Sequence, residues 1–197
     1  MTAILTGDII NSRRNDKWLI PLKEQLNNWG PTPAVWEIFR GDSFQLEVGP
    51  ELCILSAIQL KAVVKQFSDL DVRIAIGLGT RISTSEKITE SNGTAFVNSG
   101  TCFDNLKKNT LAIKSTDNGF DEDINLLLEL ALLTMDNWAP ITAEVVKEYL
   151  ENPSLNQSQL GKLTGRSQSN VSAALNRAGL KSILKMDAAF RKRLKSL

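Results

Sequence analysis

Asp8 and Asp42 are the residues whose type and setting first suggest chemistry. Asp8 closes the run from Ala3 to Thr6 at Gly7-Asp8, and that run reads as a short buried strand. Asp42 lies in Arg40-Gly41-Asp42-Ser43, between the alternating segments Val35–Phe39 and Phe44–Val48. That pattern predicts a hairpin with Gly41-Asp42 at its tip or just beyond it. If the two strands are neighbours, both carboxylates meet at one sheet edge. Their oxygens and the backbone carbonyl of Ile9 can then hold magnesium or manganese against a nucleotide triphosphate. A bound ion converts the repulsion between the aspartates into attraction. Arg13 and Arg40 are candidates for phosphate contacts, because the guanidinium fork fits phosphate oxygens. The plainer reading has Asp8 capping a helix that begins at Asn11 or Ser12, Asp42 serving as a turn residue, and both arginines simply solvated.

Composition narrows the chemistry. The 197 residues contain no histidine, which removes Ser-His-Asp and Cys-His catalysis and most zinc sites. Two cysteines, Cys53 and Cys102, sit apart in apolar surroundings and are expected to be buried thiols of a cytoplasmic protein. The start Met1-Thr-Ala-Ile-Leu-Thr-Gly-Asp8 has no basic segment before its apolar one, so no signal peptide is expected. Nor is there an apolar run long enough for a membrane helix.

The elements that must position Asp8 and Asp42 alternate. A helix is expected over Asp16–Trp29, stopped by Gly30-Pro31, and another over Pro50–Phe67. Val72–Leu78 reads as a strand, Ala95–Lys108 as a helix and Thr110–Lys114 as a closing strand. The polar stretch Thr80–Thr94 is long for a connection and is a candidate functional loop that closes over a ligand or is simply mobile. The order β-α-β-β-α-β plus one α-β unit is an extended ferredoxin-like arrangement in an α+β chain. Trp18, Trp29, Trp36 and Trp138 read as core or interface residues. Residues 117–123 read as an acidic linker before a helix over Ile124–Met135. The expected organisation is therefore a sheet domain over 1–116, a linker helix over 117–139 and an all-α helix-turn-helix domain over 140–197.

That last part carries its own signal. From residue 151 onward the chain holds nine Lys or Arg against Glu151 and Asp187, a net +7, while the preceding 150 residues carry −6. A basic tail on an acidic body points to a polyanionic partner. Leu155, Leu160 and Leu163 suggest one apolar helix face, Thr164-Gly165-Arg166 a turn, and Ser167 the cap of a second helix. In that second helix Val171, Ala174, Leu175 and Ala178 are expected inside. Arg166, Ser167, Gln168, Ser169, Asn170, Ser172 and Arg177 are then the candidate contacts to double-stranded DNA, since small and amide side chains at a helix start reach base edges. An amphipathic hairpin used for dimerisation is the alternative. Ile183–Leu197 reads as a further basic helix.

Several segments resemble known families. Thr6-Gly-Asp-Ile-Ile-Asn-Ser-Arg13 is similar to the first metal motif of class III nucleotide cyclases. Phe39-Arg-Gly-Asp-Ser-Phe-Gln45 resembles their second motif and the hairpin signature of GGDEF diguanylate cyclases. Val72–Gly79 looks like the cyclase strand that follows, and Gly93-Thr-Ala-Phe-Val-Asn98 like the segment that supplies a catalytic Asn, so the resemblance implies Asn98 as a nucleotide contact. The pattern is incomplete. Cys102 stands where those cyclases place a transition-state Arg, and Ser43 where GGDEF proteins carry Glu. Lys107 or Lys108 would have to replace that charge. Over nearly its full length the chain resembles the SatD family of bacterial proteins, which implies a cyclase-like domain followed by a helix-turn-helix.

Together these readings predict a dimeric DNA-binding regulator whose cyclase-like part senses a ligand or dimerises. The competing expectations are a magnesium-dependent cyclase or nucleotidyl transferase with a helical assembly tail, and a degenerate domain that only dimerises.

Overall fold

Burial along the first strand shows how the sheet is used. In the computed structural model, which describes residues 1–82 and 85–197, β1 (Thr2–Ile10) sends Ala3, Leu5 and Ile9 into the main core and Ile4 into a second cluster. Successive side chains of a strand alternate between faces, so Asp8 shares the Ile4 face. The strand runs two residues past Asp8 rather than ending there.

The remaining sheet strands are β2 (Trp36–Phe39), β3 (Ser43–Val48), β4 (Asp71–Gly79) and β5 (Leu111–Lys114). Their order is β2-β3-β1-β4-β5, antiparallel through β4, with β5 parallel to β4. This mixed sheet and the surrounding helices make an α+β fold.

Helices α1 (Leu19–Asn27) and α2 (Cys53–Lys65) cover the main-core face, where Leu22, Leu26, Ile54 and Ile58 meet Leu5, Val72, Ile74 and Ile76. Helix α3 (Thr94–Asp104) lies on the opposite face. It comes so close to β4 that a Cβ on Gly77 would stand 2.1 Å from the Ala95 carbonyl oxygen, so only glycine fits there. The helix stops at Asp104, earlier than the Lys108 expected from periodicity.

The linker helix begins inside the acidic segment 117–123 rather than at Ile124. Asp117 accepts a hydrogen bond from the Phe120 amide and starts α4 (Asn118–Met135), as a helix N-cap does. This helix closes the sheet edge. The Asn125 side chain donates to the Ile113 carbonyl and accepts from the Ile113 amide, both at 2.9 Å, taking the place of a neighbouring strand.

Four more helices complete the chain: α5 (Pro140–Glu151), α6 (Gln157–Thr164), α7 (Gln168–Arg177) and α8 (Leu180–Leu194). Their buried residues Val145, Leu160, Val171, Ile183 and Phe190 belong to the same continuous core as Ala3 and Leu5. Trp138, 4% exposed, fixes the corner between them, with Nε1 donating to the Ala178 carbonyl at 3.1 Å. The inward row expected in α6 reduces to Leu160. Leu155 precedes the helix and Leu163 is 54% exposed.

A buried polar cluster ties the sheet to this helical part. Lys61 Nζ lies 2.7 Å from Asp71 and 2.6 Å from Asp136, and it donates to Thr110 Oγ1 at 3.0 Å. Lys65 Nζ lies 3.1 Å from Asp71 and donates to the Asp136 carbonyl at 2.7 Å. Asp71 opens β4, and Asp136 follows α4. Among the described residues no helix is long and apolar enough to cross a membrane.

Candidate functional site

Asp8 and Asp42 do come to one place. Asp8 pairs in register with Ser43 of β3 and with Arg73 of β4, and Asp42 immediately precedes β3. Its carbonyl accepts the Ile9 amide at 3.2 Å, and its carboxylate accepts from Ser12 Oγ at 2.5 Å. Both aspartates line an open groove of about 650 Å³ with Ile9, Ser12, Arg13, Arg14 and Arg73. Asn11 has φ 62° and turns the chain from β1 into a short 3-10 segment, Ser12–Arg14. That turn brings Arg13 and Arg14 back over the strand end. Asp8 therefore caps no helix, and Ser12 is spent on Asp42.

Arg73, which no motif in the sequence marks, also lines the groove. Its Nε lies 2.9 Å from Asp8 Oδ1, and its Nη2 is bound to Oδ2. The guanidinium also sits over the Phe103 ring of α3, 5.3 Å from the centroid, a favourable placement for a cation. The hydrogen bond that Arg73 donates to the Asp8 carboxylate pushes the Arg73 pKa further up. A bidentate pair of this kind neutralises Asp8 and occupies both of its oxygens. For Asp8, Asp42 and the Ile9 carbonyl to ligate magnesium or manganese, Arg73 would have to leave. Among the described residues, no group of three or more acidic or cysteine side chains gathers as a metal cluster.

The other expected nucleotide contacts divide. Arg13 is exposed and lines the groove, while Arg40, at φ 52°, lines an adjoining recess with Ser12, Trp18, Gly41 and Asp42. Asn98 lies elsewhere. Its Nδ2 donates to the Leu78 carbonyl at 2.7 Å, and Leu78 pairs with Ala3, at the opposite end of β1 from Asp8. Five residues of strand, about 17 Å, separate these positions. Asn98 is 9% exposed and fastens α3 to the sheet. Cys102 also faces the protein, beside Ala75 and Leu106, and burial pushes its thiol up to about 11.

The loop after β4 is anchored away from the groove. Arg81 pairs with Glu47, Thr89 bonds Glu37, and Ile88 is fully buried against Ile4 and Ala95. Ser83 and Thr84 of this expected loop lie outside the described residues.

The second candidate site is built by α5, α6 and α7. Asn156 and Gln159 form a capping box at the start of α6, with Asn156 Oδ1 accepting from the Gln159 amide at 3.0 Å. Gly165, at φ 66°, ends that helix in the left-handed conformation. The turn then folds onto Gly161, where a Cβ would meet the Arg166 carbonyl oxygen at 2.6 Å. Ser167 caps α7, accepting from the Asn170 amide at 3.2 Å.

Ser167, Gln168, Ser169 and Asn170 are exposed on this first turn, and Val171, Ala174 and Leu175 are buried beneath it. Gln168 Nε2 donates to Gln157 Oε1 at 2.6 Å, aligning the two helix starts. Ser172 is half-buried. Arg177 is exposed but stands at the far end of α7, about 13 Å away along the axis. Arg166 is held inside the three-helix unit by Glu144. Compared with known protein families, curated proteins and solved structures, the chain matches none.

Proposed function

We propose that this chain is a DNA-binding regulator, with α6 and α7 as its helix-turn-helix and the sheet part as its sensor. The observation that carries the reading is the first turn of α7. Three short hydrogen-bonding side chains, Gln168, Ser169 and Asn170, stand exposed there on a helix seated by Val171, Ala174 and Leu175. Such a turn fits the major groove with its amide and hydroxyl groups toward base edges. Backbone N–H groups at the same helix start suit a phosphate. The exposed cations Lys162, Arg177, Lys181 and Lys185 add the sequence-independent attraction that DNA binding requires.

The sensor reading draws on the groove at Asp8 and Asp42. The strand order β4-β1-β3-β2 supports the ferredoxin-like, cyclase-like reading and, with the tail, the proposal that the chain belongs with the SatD proteins it resembles. Arg13 and Arg40 suit a nucleotide's phosphates. Magnesium or manganese at Asp8 and Asp42 belongs to this proposal only with Arg73 displaced. The Lys61-Asp71-Asp136 cluster would pass a change from β4 to the start of the helical part. An enzymatic reading gains no comparable support, because Asn98 and Cys102 supply no group to this groove.

The test is selection of duplexes from a random pool by the full chain. An enriched sequence is expected, and it should be lost with Gln168→Ala/Asn170→Ala. A pool that stays random, or one enriched equally by that variant, would refute the reading.

A further inference from the structure

The outward side of α4 is covered by nothing in the described chain. Leu126, Leu130 and Leu133 are 58%, 57% and 72% exposed. Spacings of four and three residues align them in one stripe. The stripe lies opposite the buried row Ile124, Leu128, Leu132 and Met135. A helix that is apolar on both sides is ordinarily enclosed on both. Leucines in register on one helix also differ from apolar residues scattered singly over a surface.

Carboxylates flank the stripe on one side and the basic helix α8 flanks it on the other. Glu122 and Glu129, both exposed, flank it on the side that faces the Asn125 edge contact. On the other side runs the basic helix α8, antiparallel to α4. Gly179 approaches Thr134 there, and Arg193 reaches Asp123 at 3.3 Å.

We infer that this face is a homodimer interface, in which α4 packs against α4 of a second copy with the two helices parallel. A two-fold axis running along the helices sets the acidic shoulder of each copy against the partner's α8 shoulder, and does so twice. An antiparallel pair would instead set the acidic shoulders on each other. Stable interfaces bury about 800 Å² per partner, more than three leucines provide. The charged shoulders therefore belong to the contact, as a polar rim around an apolar centre. The inference does not depend on DNA binding, since the interface is decided by mass and the DNA reading by sequence selection.

The experiment is light scattering on the full-length chain across a dilution series. Wild type should run at twice the 21.7 kDa of one chain. Leu130→Lys should weaken association by about 30-fold or more. It should leave the circular dichroism spectrum unchanged, because position 130 touches solvent in the monomer. The charge variant Glu122→Lys/Glu129→Lys should also weaken the dimer. A monomeric wild type, or a Leu130→Lys protein that dimerises as well as wild type, would overturn the interface. Tighter association by the charge variant would overturn the parallel orientation.

Discussion

The Arg73 guanidinium lies along the Asp8 carboxylate, Nε to Oδ1 at 2.9 Å, on neighbouring strands that place the two residues directly opposite each other. The groove therefore contains its own counterion, held over Phe103. The pair is partly exposed, so its stabilising effect is small. Its effect on what can bind beside it is larger.

Removing that counterion should open the carboxylates to a metal. In Arg73→Met, calorimetric titration with manganese should show binding at least about tenfold tighter than in wild type, equivalent to about 1.4 kcal/mol. Asp42→Ala in the Arg73→Met background should abolish the gain. Equal affinities in wild type and Arg73→Met would mean that the aspartates form no cation site.

The cluster around Lys61 makes a prediction about stability. Lys61 has 2% of its side chain exposed and faces both Asp71 and Asp136. Lys61→Met leaves those carboxylates short of a partner, and breaking a buried ion pair on one side costs about 3–5 kcal/mol. Lys65 still reaches Asp71, so the lower end of that range is expected. Urea denaturation followed by tryptophan fluorescence measures it.

Asp187 gives α8 a pH dependence. Burial raises its pKa, against the lowering effect of the hydrogen bond from Arg191. The folded state thus holds this proton to higher pH than the unfolded chain does, and stability falls as pH rises from about 4 through the raised value. Asp187→Asn removes that dependence. It should be more stable than wild type at neutral pH, with the advantage vanishing below about pH 4. Urea midpoints for both proteins across this range check the sign.

Caps and reading residues should separate on α7. Ser167→Ala removes an N-cap bond and should cost about 1 kcal/mol, or roughly 2–4 °C in a chain of this size. Gln168→Ala and Asn170→Ala change exposed side chains and should stay within about 0.5 kcal/mol of wild type. Thermal melts of the three variants make the comparison.

Much of the frame was legible because burial wrote it into the sequence. The alternation in 35–39 and 44–48 and the turn residues between them marked the hairpin, and Gly165 with Ser167 marked the turn before α7. The departures have physical reasons. Gly119 and the run of acidic residues looked like a linker, yet Asp117 accepting from Phe120 is a helix start, and Ile124, Leu128 and Leu132 supply the buried face. Arg73 is the site residue least visible in the sequence. Its one signal was a lone charge inside the apolar strand Val72–Leu78, and only strand order could place it opposite Asp8. Only the resemblance points to Asn98, and the seating of α3 on Gly77 carries it to the Leu78 end of the sheet. Leu163 fitted a helical period but lies on the solvent side, because the close approach at Gly161 sets which face of α6 turns inward.

The central claim is that the first turn of α7 reads DNA, and fluorescence anisotropy with the selected duplex and a scrambled one tests it most directly. Wild type should prefer the selected duplex by about 10³-fold or more. The logarithm of its affinity should fall linearly with the logarithm of salt concentration. Gln168→Ala/Asn170→Ala should lose most of the preference while keeping the salt slope. Equal affinity of wild type for both duplexes, or a preference that survives in the double variant, would contradict the account.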